Sequence, residues 1–210
     1  MFYTIDPEGM IDITMPLSKD TPCWPGDTPF RREVREEHGF RTSRMVMSTH
    51  SGTHMDSPAH LCRCSATIDL IPPSGLVLPA LVIDLHGKVS VTAADLKNLP
   101  LDGRALLLRT APEFPPDDLI EYGHLTADAA QMAVEGGARL VGIDTLSVDA
   151  PDCDLAHGIL LEGSIPVVEN LVLGHVHPGE YLLLCFPLRI IAGDGSPVRA
   201  FLHPLMTAEE

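Results

Sequence analysis

The chain has 210 residues, 45% of them hydrophobic, enough to bury a sizeable core, and a single domain over residues 1–210 is expected. A formal net charge of −15, from 14 Lys and Arg against 29 Asp and Glu, argues against nucleic acid or an anionic membrane as a partner. No apolar run approaches the roughly 20 residues of a membrane span, and Met1-Phe2-Tyr3-Thr4-Ile5-Asp6 lacks the basic start and apolar block of a secretory leader, so the expected location is the cytoplasm.

In chain order, Met10-Ile11-Asp12-Ile13-Thr14 alternates apolar and polar side chains before Pro16 and predicts a short strand. Residues 21–30 contain Pro22, Pro25, Gly26 and Pro29 and read as a loop. That loop carries the only tryptophan, Trp24, which suits either packing or stacking against a planar ligand. Residues 31–36 and 40–49 predict a hairpin turned at His38-Gly39, its second strand running into a dense group of donor side chains.

That group is Thr49-His50-Ser51-Gly52-Thr53-His54-Met55-Asp56-Ser57-Pro58-Ala59-His60. Gly52, the two threonines and Pro58 disfavour a helix. In an extended segment His50, His54 and Asp56 would face one side, with Thr53, Met55 and Ser57 on the other. Imidazole nitrogen and carboxylate oxygen are ligands that borderline divalent metals accept, and three protein ligands leave a position open for water. Asp56 has a second oxygen with which to share a further ion. Pro58 should end the strand and turn the chain, so His60 need not join the other three. Met45, Met47 and Met55 nearby are expected mostly to pack in the core. The five cysteines are an odd number for a closed disulfide framework. Cys62 and Cys64 stand closer together than zinc or redox pairs usually do, and read as reduced thiols beside the site.

Further on, strands are predicted at residues 80–85, 105–109, 140–144, 165–170 and 181–186. Helices are predicted from Thr92 to about 98, from Thr126 to 135 before Gly136-Gly137, and over residues 152–161. A last hairpin is predicted over residues 188–203 around Gly193-Asp194-Gly195-Ser196-Pro197. Many strands with few interspersed helices indicate an α/β fold with a mixed sheet. His175 and His177 read as a solvated turn, and His157 and Glu169, taken alone, as a helix-face histidine and a strand-end carboxylate. The sequence holds no Gly-x-Gly-x-x-Gly or Walker loop, no Gly-x-Ser-x-Gly elbow and no His-Glu-x-x-His helix. Metal-assisted hydrolysis is then the natural enzyme class.

His50 to His60 reads His-x-Gly-Thr-His-x-Asp-x-Pro-x-His at every fixed position. With Trp24-Pro25-Gly26-Asp27, the run Gly142 to Asp149, the His157 to Glu169 spacing and Phe186-Pro187-Leu188-Arg189, the chain resembles the cyclase-type metal-dependent hydrolases, which include bacterial kynurenine formamidase and isatin hydrolase. The resemblance implies a single-domain cyclase-like fold in which His50, His54 and Asp56 hold a first metal ion. It implies that Asp56 and Glu169 bridge to a second ion bound by His157, that His60 is the general acid/base, and that Trp24 lines an aromatic substrate pocket. It further implies zinc, or alternatively manganese, a homodimer, and a small aryl amide substrate, N-formylkynurenine first, as in tryptophan catabolism. Two departures keep a cyclic amide such as isatin in view: Leu61 stands where relatives commonly carry an aromatic residue, and Thr145-Leu146-Ser147 is nearer the isatin-hydrolase branch. A catalytically silent metal- or ligand-binding protein on the same scaffold is the third reading, opposed by the intact acid/base position at His60.

Overall fold

The computed structural model describes residues 5–61, 66–111 and 122–205; Cys62 and Cys64 lie outside the described residues. In chain order come β1 (Ile11–Asp12), β2 (Arg31–Glu37), β3 (Phe40–Val46), β4 (His54–Asp56), β5 (Val77–Asp84) and β6 (Ser90–Val91). Then follow α1 (Ala93–Leu96), β7 (Ala105–Arg109), β8 (His124–Leu125), α2 (Ala127–Glu135), β9 (Leu140–Ile143), α3 (Leu155–Glu162), β10 (Val167–Glu169), β11 (Gly179–Pro187) and β12 (Gly195–Pro204). Eight strands form one sheet in the order β1-β12-β11-β5-β7-β9-β10-β4, and β4 also pairs with β12, so the sheet closes into a barrel-like core. β5, β7, β9 and β10 run parallel, and the remaining pairs of this sheet are antiparallel. This is the mixed α/β sheet the element pattern predicts.

The central strands read as unbroken apolar runs because both of their faces are covered. Ala105 and Leu107 of β7 join Leu140 in one hydrophobic cluster with the inner faces of β5, β11 and β12. Leu106 and Leu108 point the other way, to Val141, Ile143 and the helices. There α2 sets Ala129, Ala130 and Ala133, all fully buried, against the sheet, and these small side chains allow close approach. Thr92 and Asp95 form a reciprocal capping box at the start of α1.

Three expectations change. The last hairpin is β11 with β12, Pro187 opposite Val198, so residues 188–194 are its connection rather than a first strand. The strand expected at 181–186 is itself the hairpin partner. β3 ends at Val46, short of the histidines, and among the described residues β2 and β3 pair only with each other, as a ribbon exposed along its length. Met45 is therefore 60% exposed instead of packed, whereas Met55 is fully buried. Finally, α3 begins at Leu155, because Asp152 takes a positive φ of 59° in the turn before it.

Candidate metal centre

β4 carries two of the five candidate ligands. Strand alternation turns Met55 into the hydrophobic core and leaves His54 and Asp56 on the opposite face, as expected. His50 arrives differently from the expectation. Gly52 has a φ of +64°, which breaks the extended run, so His50 reaches the same place from a turn. Its Nδ1 lies 2.7 Å from Asp56 Oδ1, and its Nε2 3.1 Å from Asp194 Oδ2. The antiparallel register of β4 with β10 sets Glu169 opposite His54, with His54 Nε2 3.4 Å from Glu169 Oε2 and 3.5 Å from Asp56 Oδ1. Thr53 pins this register: its hydroxyl donates to Asn170 O at 2.6 Å and accepts from Met15 N–H at 2.8 Å.

α3 brings in His157. Its Nε2 stands 3.3 Å from Asp56 Oδ2 and 3.2 Å from Glu169 Oε1, while Nδ1 lies 2.7 Å from Asp149 Oδ2. Pro58 does turn the chain, into a single 3-10 turn over Pro58–His60. That turn leaves His60 exposed, its ring centroid 4.3 Å from that of His50 and 5.6 Å from that of His157. Asp149 and Asp194 are contacts that the sequence reading did not single out. Each is remote in sequence from the histidine it meets, or lies in a turn, so no local periodicity marks it.

The charge pattern follows from this crowding. Asp56 and Glu169 are 1% and 4% exposed, and buried carboxylates need cationic partners. Burial works against ionising either one, but the neighbouring imidazoles win: Asp56 is held well below the usual carboxylate range, chiefly by His54, His157 and His50, and Glu169 falls to about 2, chiefly by His157. Burial likewise opposes charge on the histidines, yet Asp56, with Asp194, pushes His50 up to about 9. His54 is raised by Asp56 and Glu169, and His157 well above its ordinary value by Glu169, Asp149 and Asp56. His60 alone goes the other way: loss of hydration lowers it, and the charges around it partly cancel.

This is a donor set that a divalent cation fits. His54, Asp56 and Glu169 each offer a ligand atom within 4.8 Å of one another, as do His50, Asp56 and His60. Asp56 belongs to both groups, so one carboxylate faces two positions. Above the cluster opens a cavity of ≈ 300 Å³, lined on its apolar side by Trp24, Leu61 and Leu146 and entered by His60. Trp24 is 43% exposed and lines this cavity, where an indole suits a planar guest. A buried polar floor, an apolar rim and an imidazole between them can hold and hydrolyse a small polar group borne on an aromatic body.

Residues 11–150 match the family described as "Putative cyclase". Kynurenine formamidase of Bacillus cereus (strain ZK / E33L) is 42% identical over 207 residues, covering 93% of this chain and 97% of that protein. A solved structure described as a potential metal-dependent hydrolase with cyclase activity superposes with a TM-score of 0.82 at 27% identity, covering 93% of this chain and 98% of the other. Isatin hydrolase A from Ralstonia solanacearum superposes with a TM-score of 0.81 at 23% identity, covering 92% and 90%, which shows a shared fold.

Proposed function

Since the chain belongs to the cyclase family, we propose that it is a metal-dependent amidohydrolase that cleaves a small aryl amide, N-formylkynurenine first, to formate and the free arylamine. The observation that carries this reading is the convergence of three imidazoles and two buried carboxylates beneath a cavity rimmed by Trp24 and entered by His60. His50, His54 and Asp56 would hold a first ion, and Asp56, His157 and Glu169 would hold a second. Zinc suits the imidazole-rich set, and manganese is the second choice because bridging carboxylates suit it too. A bound divalent ion supplies Lewis acidity, which polarises a carbonyl and makes water a nucleophile at neutral pH.

The chain's own residues do the rest. His60 stands beside the ligands without being buried among them, and its lowered pKa keeps the ring neutral and ready to accept a proton. It takes a proton from the attacking water and returns it to the departing nitrogen, which an amide needs before it can leave. Trp24 stacks on the aryl ring and orients the carbonyl towards the cluster. The same reading takes residues 1–210 as one domain, since β1 and β12, from opposite ends of the chain, pair in one sheet. It takes the active form as a homodimer in the cytoplasm, where Cys23, Cys153 and Cys185, free among the described residues, would stay reduced.

Metal analysis paired with steady-state assays on N-formylkynurenine and isatin tests the assignment. The expected outcome is chelator-sensitive hydrolysis that favours the open-chain amide. Preference for isatin would move the assignment to cyclic amides, the reading favoured by Leu61 and Leu146 on the cavity wall. Metal-replete protein that hydrolyses neither would point to the silent-binder reading or to another substrate. His60→Ala should keep its metal and lose activity by about 10²–10⁴-fold, whereas Asp56→Ala should lose both. Near-normal kcat in metal-loaded His60→Ala would remove His60 from the acid/base role.

A further inference from the structure

His157 is the one candidate ligand delivered by a helix, and two features of that delivery stand out. Asp154, at the N-cap position of α3, makes no side-chain capping bond. The helix start is served instead by Asp149, which lies in the segment after β9 and is 2% exposed. Asp149 Oδ1 accepts Ala156 N–H at 2.6 Å, and Oδ2 accepts His157 N–H at 3.2 Å. The same Oδ2 lies 2.7 Å from His157 Nδ1. One carboxylate therefore holds both the backbone that carries the imidazole and the ring itself.

The consequence is a choice of ring nitrogen. Nδ1–H donates to Asp149, so it is Nε2 that faces Asp56 Oδ2 at 3.3 Å and Glu169 Oε1 at 3.2 Å. With Nδ1–H committed to Asp149, Nε2 is the nitrogen left to face Asp56 and Glu169, and in the neutral ring its lone pair suits a cation held among them. Oδ1 serves the helix start alone, whereas Oδ2 serves both the helix and the imidazole. We propose that Asp149 is the positioning residue of the second cation position, holding His157 in the rotamer and tautomer that turn Nε2 towards Asp56 and Glu169. This rests on the reading of His157 as a ligand.

Asparagine separates the two jobs. Asp149 receives three donors on two acceptor oxygens, whereas the amide of Asp149→Asn would offer one acceptor oxygen and one NH2 group. Either the helix N–H groups or the imidazole N–H would then face another donor. The test is zinc titration of the full chain against a competing chelator, for wild type, Asp149→Asn, His157→Gln and the double variant. Wild type should take two ions, and Asp149→Asn should hold the first within a few fold while the second weakens about 10–100-fold. In the His157→Gln background, Asp149→Asn should cost no further metal affinity, because it acts through a ring no longer there. Asp149→Ser, which retains a hydroxyl for the helix but cannot reach the ring, should reproduce the loss and guards against a folding failure of the first variant. Wild-type affinity for the second ion in folded Asp149→Asn, or an equal loss with and without His157, would overturn the proposal. A wild-type chain that takes one ion, unchanged by His157→Gln, would instead overturn the reading of His157, and the role of Asp149 with it.

Discussion

At the scale of single residues, the buried carboxylates divide by the company they keep. Asp56 and Glu169 are ionised because imidazoles surround them. Asp144, 1% exposed at the end of β9, has no imidazole partner among the described residues. It accepts Thr110 N–H at 2.9 Å, the Thr110 hydroxyl at 2.8 Å and Ala111 N–H at 3.1 Å, yet burial outweighs these bonds and pushes it up to about 6. An unfolded aspartate titrates near 3.9, so between roughly pH 4 and pH 6 Asp144 binds more proton in the folded chain than in the unfolded one. Asp144 therefore makes stability fall as pH rises through that window, by on the order of 3 kcal/mol. Asp144→Asn should lose this slope while the other carboxylates keep theirs. Urea unfolding of both proteins at pH 4.5 and pH 7 measures it: wild type should gain on the variant at the lower pH, and a pH-independent difference would contradict the assignment.

At the scale of elements, the site depends on how β4 is gripped between β10 and β12. Its two registers set Glu169 opposite His54 and Gly195 opposite Asp56. His50, folded back by the turn at Gly52, lies against Gly195: a Cβ there would sit 2.7 Å from His50 Cε1 and 3.1 Å from Met55 O. Backbone cannot give way cheaply, so the imidazole would have to move. Gly195→Ala should therefore weaken metal binding by tenfold or more and destabilise the chain by about 1–3 kcal/mol through overpacking. Metal titration and thermal melting read the two effects separately; unchanged metal affinity would mean that His50 is not held against β12 when an ion is bound.

For the whole molecule, the outlying β2–β3 ribbon is the part that the barrel does not explain. An isolated two-stranded ribbon is marginal in water, and this one exposes Val34, Phe40, Met45 and Val46. It also carries Arg31, Arg32, Arg35, Arg41 and Arg44 against Glu33, Glu36 and Glu37, in a chain whose net charge is −15. A basic ribbon and an acidic body complement each other between two copies of the same chain, which supports the proposed homodimer. Sedimentation should give a dimer that dissociates at high salt more readily than at low salt. Phe40→Asp with Met45→Asp should weaken association by about tenfold or more; a monomeric wild type at micromolar concentration would refute the assignment.

The mixed α/β class, the apolar strands at the barrel centre, the start positions of α1 and α2 and the crowding of His50, His54, Asp56 and His60 into one short stretch are legible in the sequence alone. All of these depend on neighbours a few residues apart, where alternation, turn residues and side-chain chemistry act directly. His157 and Glu169 became legible through the resemblance of the whole chain, since neither carries a local signal. Tertiary packing is what brings His50 in by a turn, sets Glu169 across from His54, and joins Asp149 and Asp194 to the imidazoles. Those contacts are set by strand register, barrel closure and helix docking, which bring residues as many as 144 positions apart to within 3.1 Å. No pattern within a short window of sequence encodes such a distance.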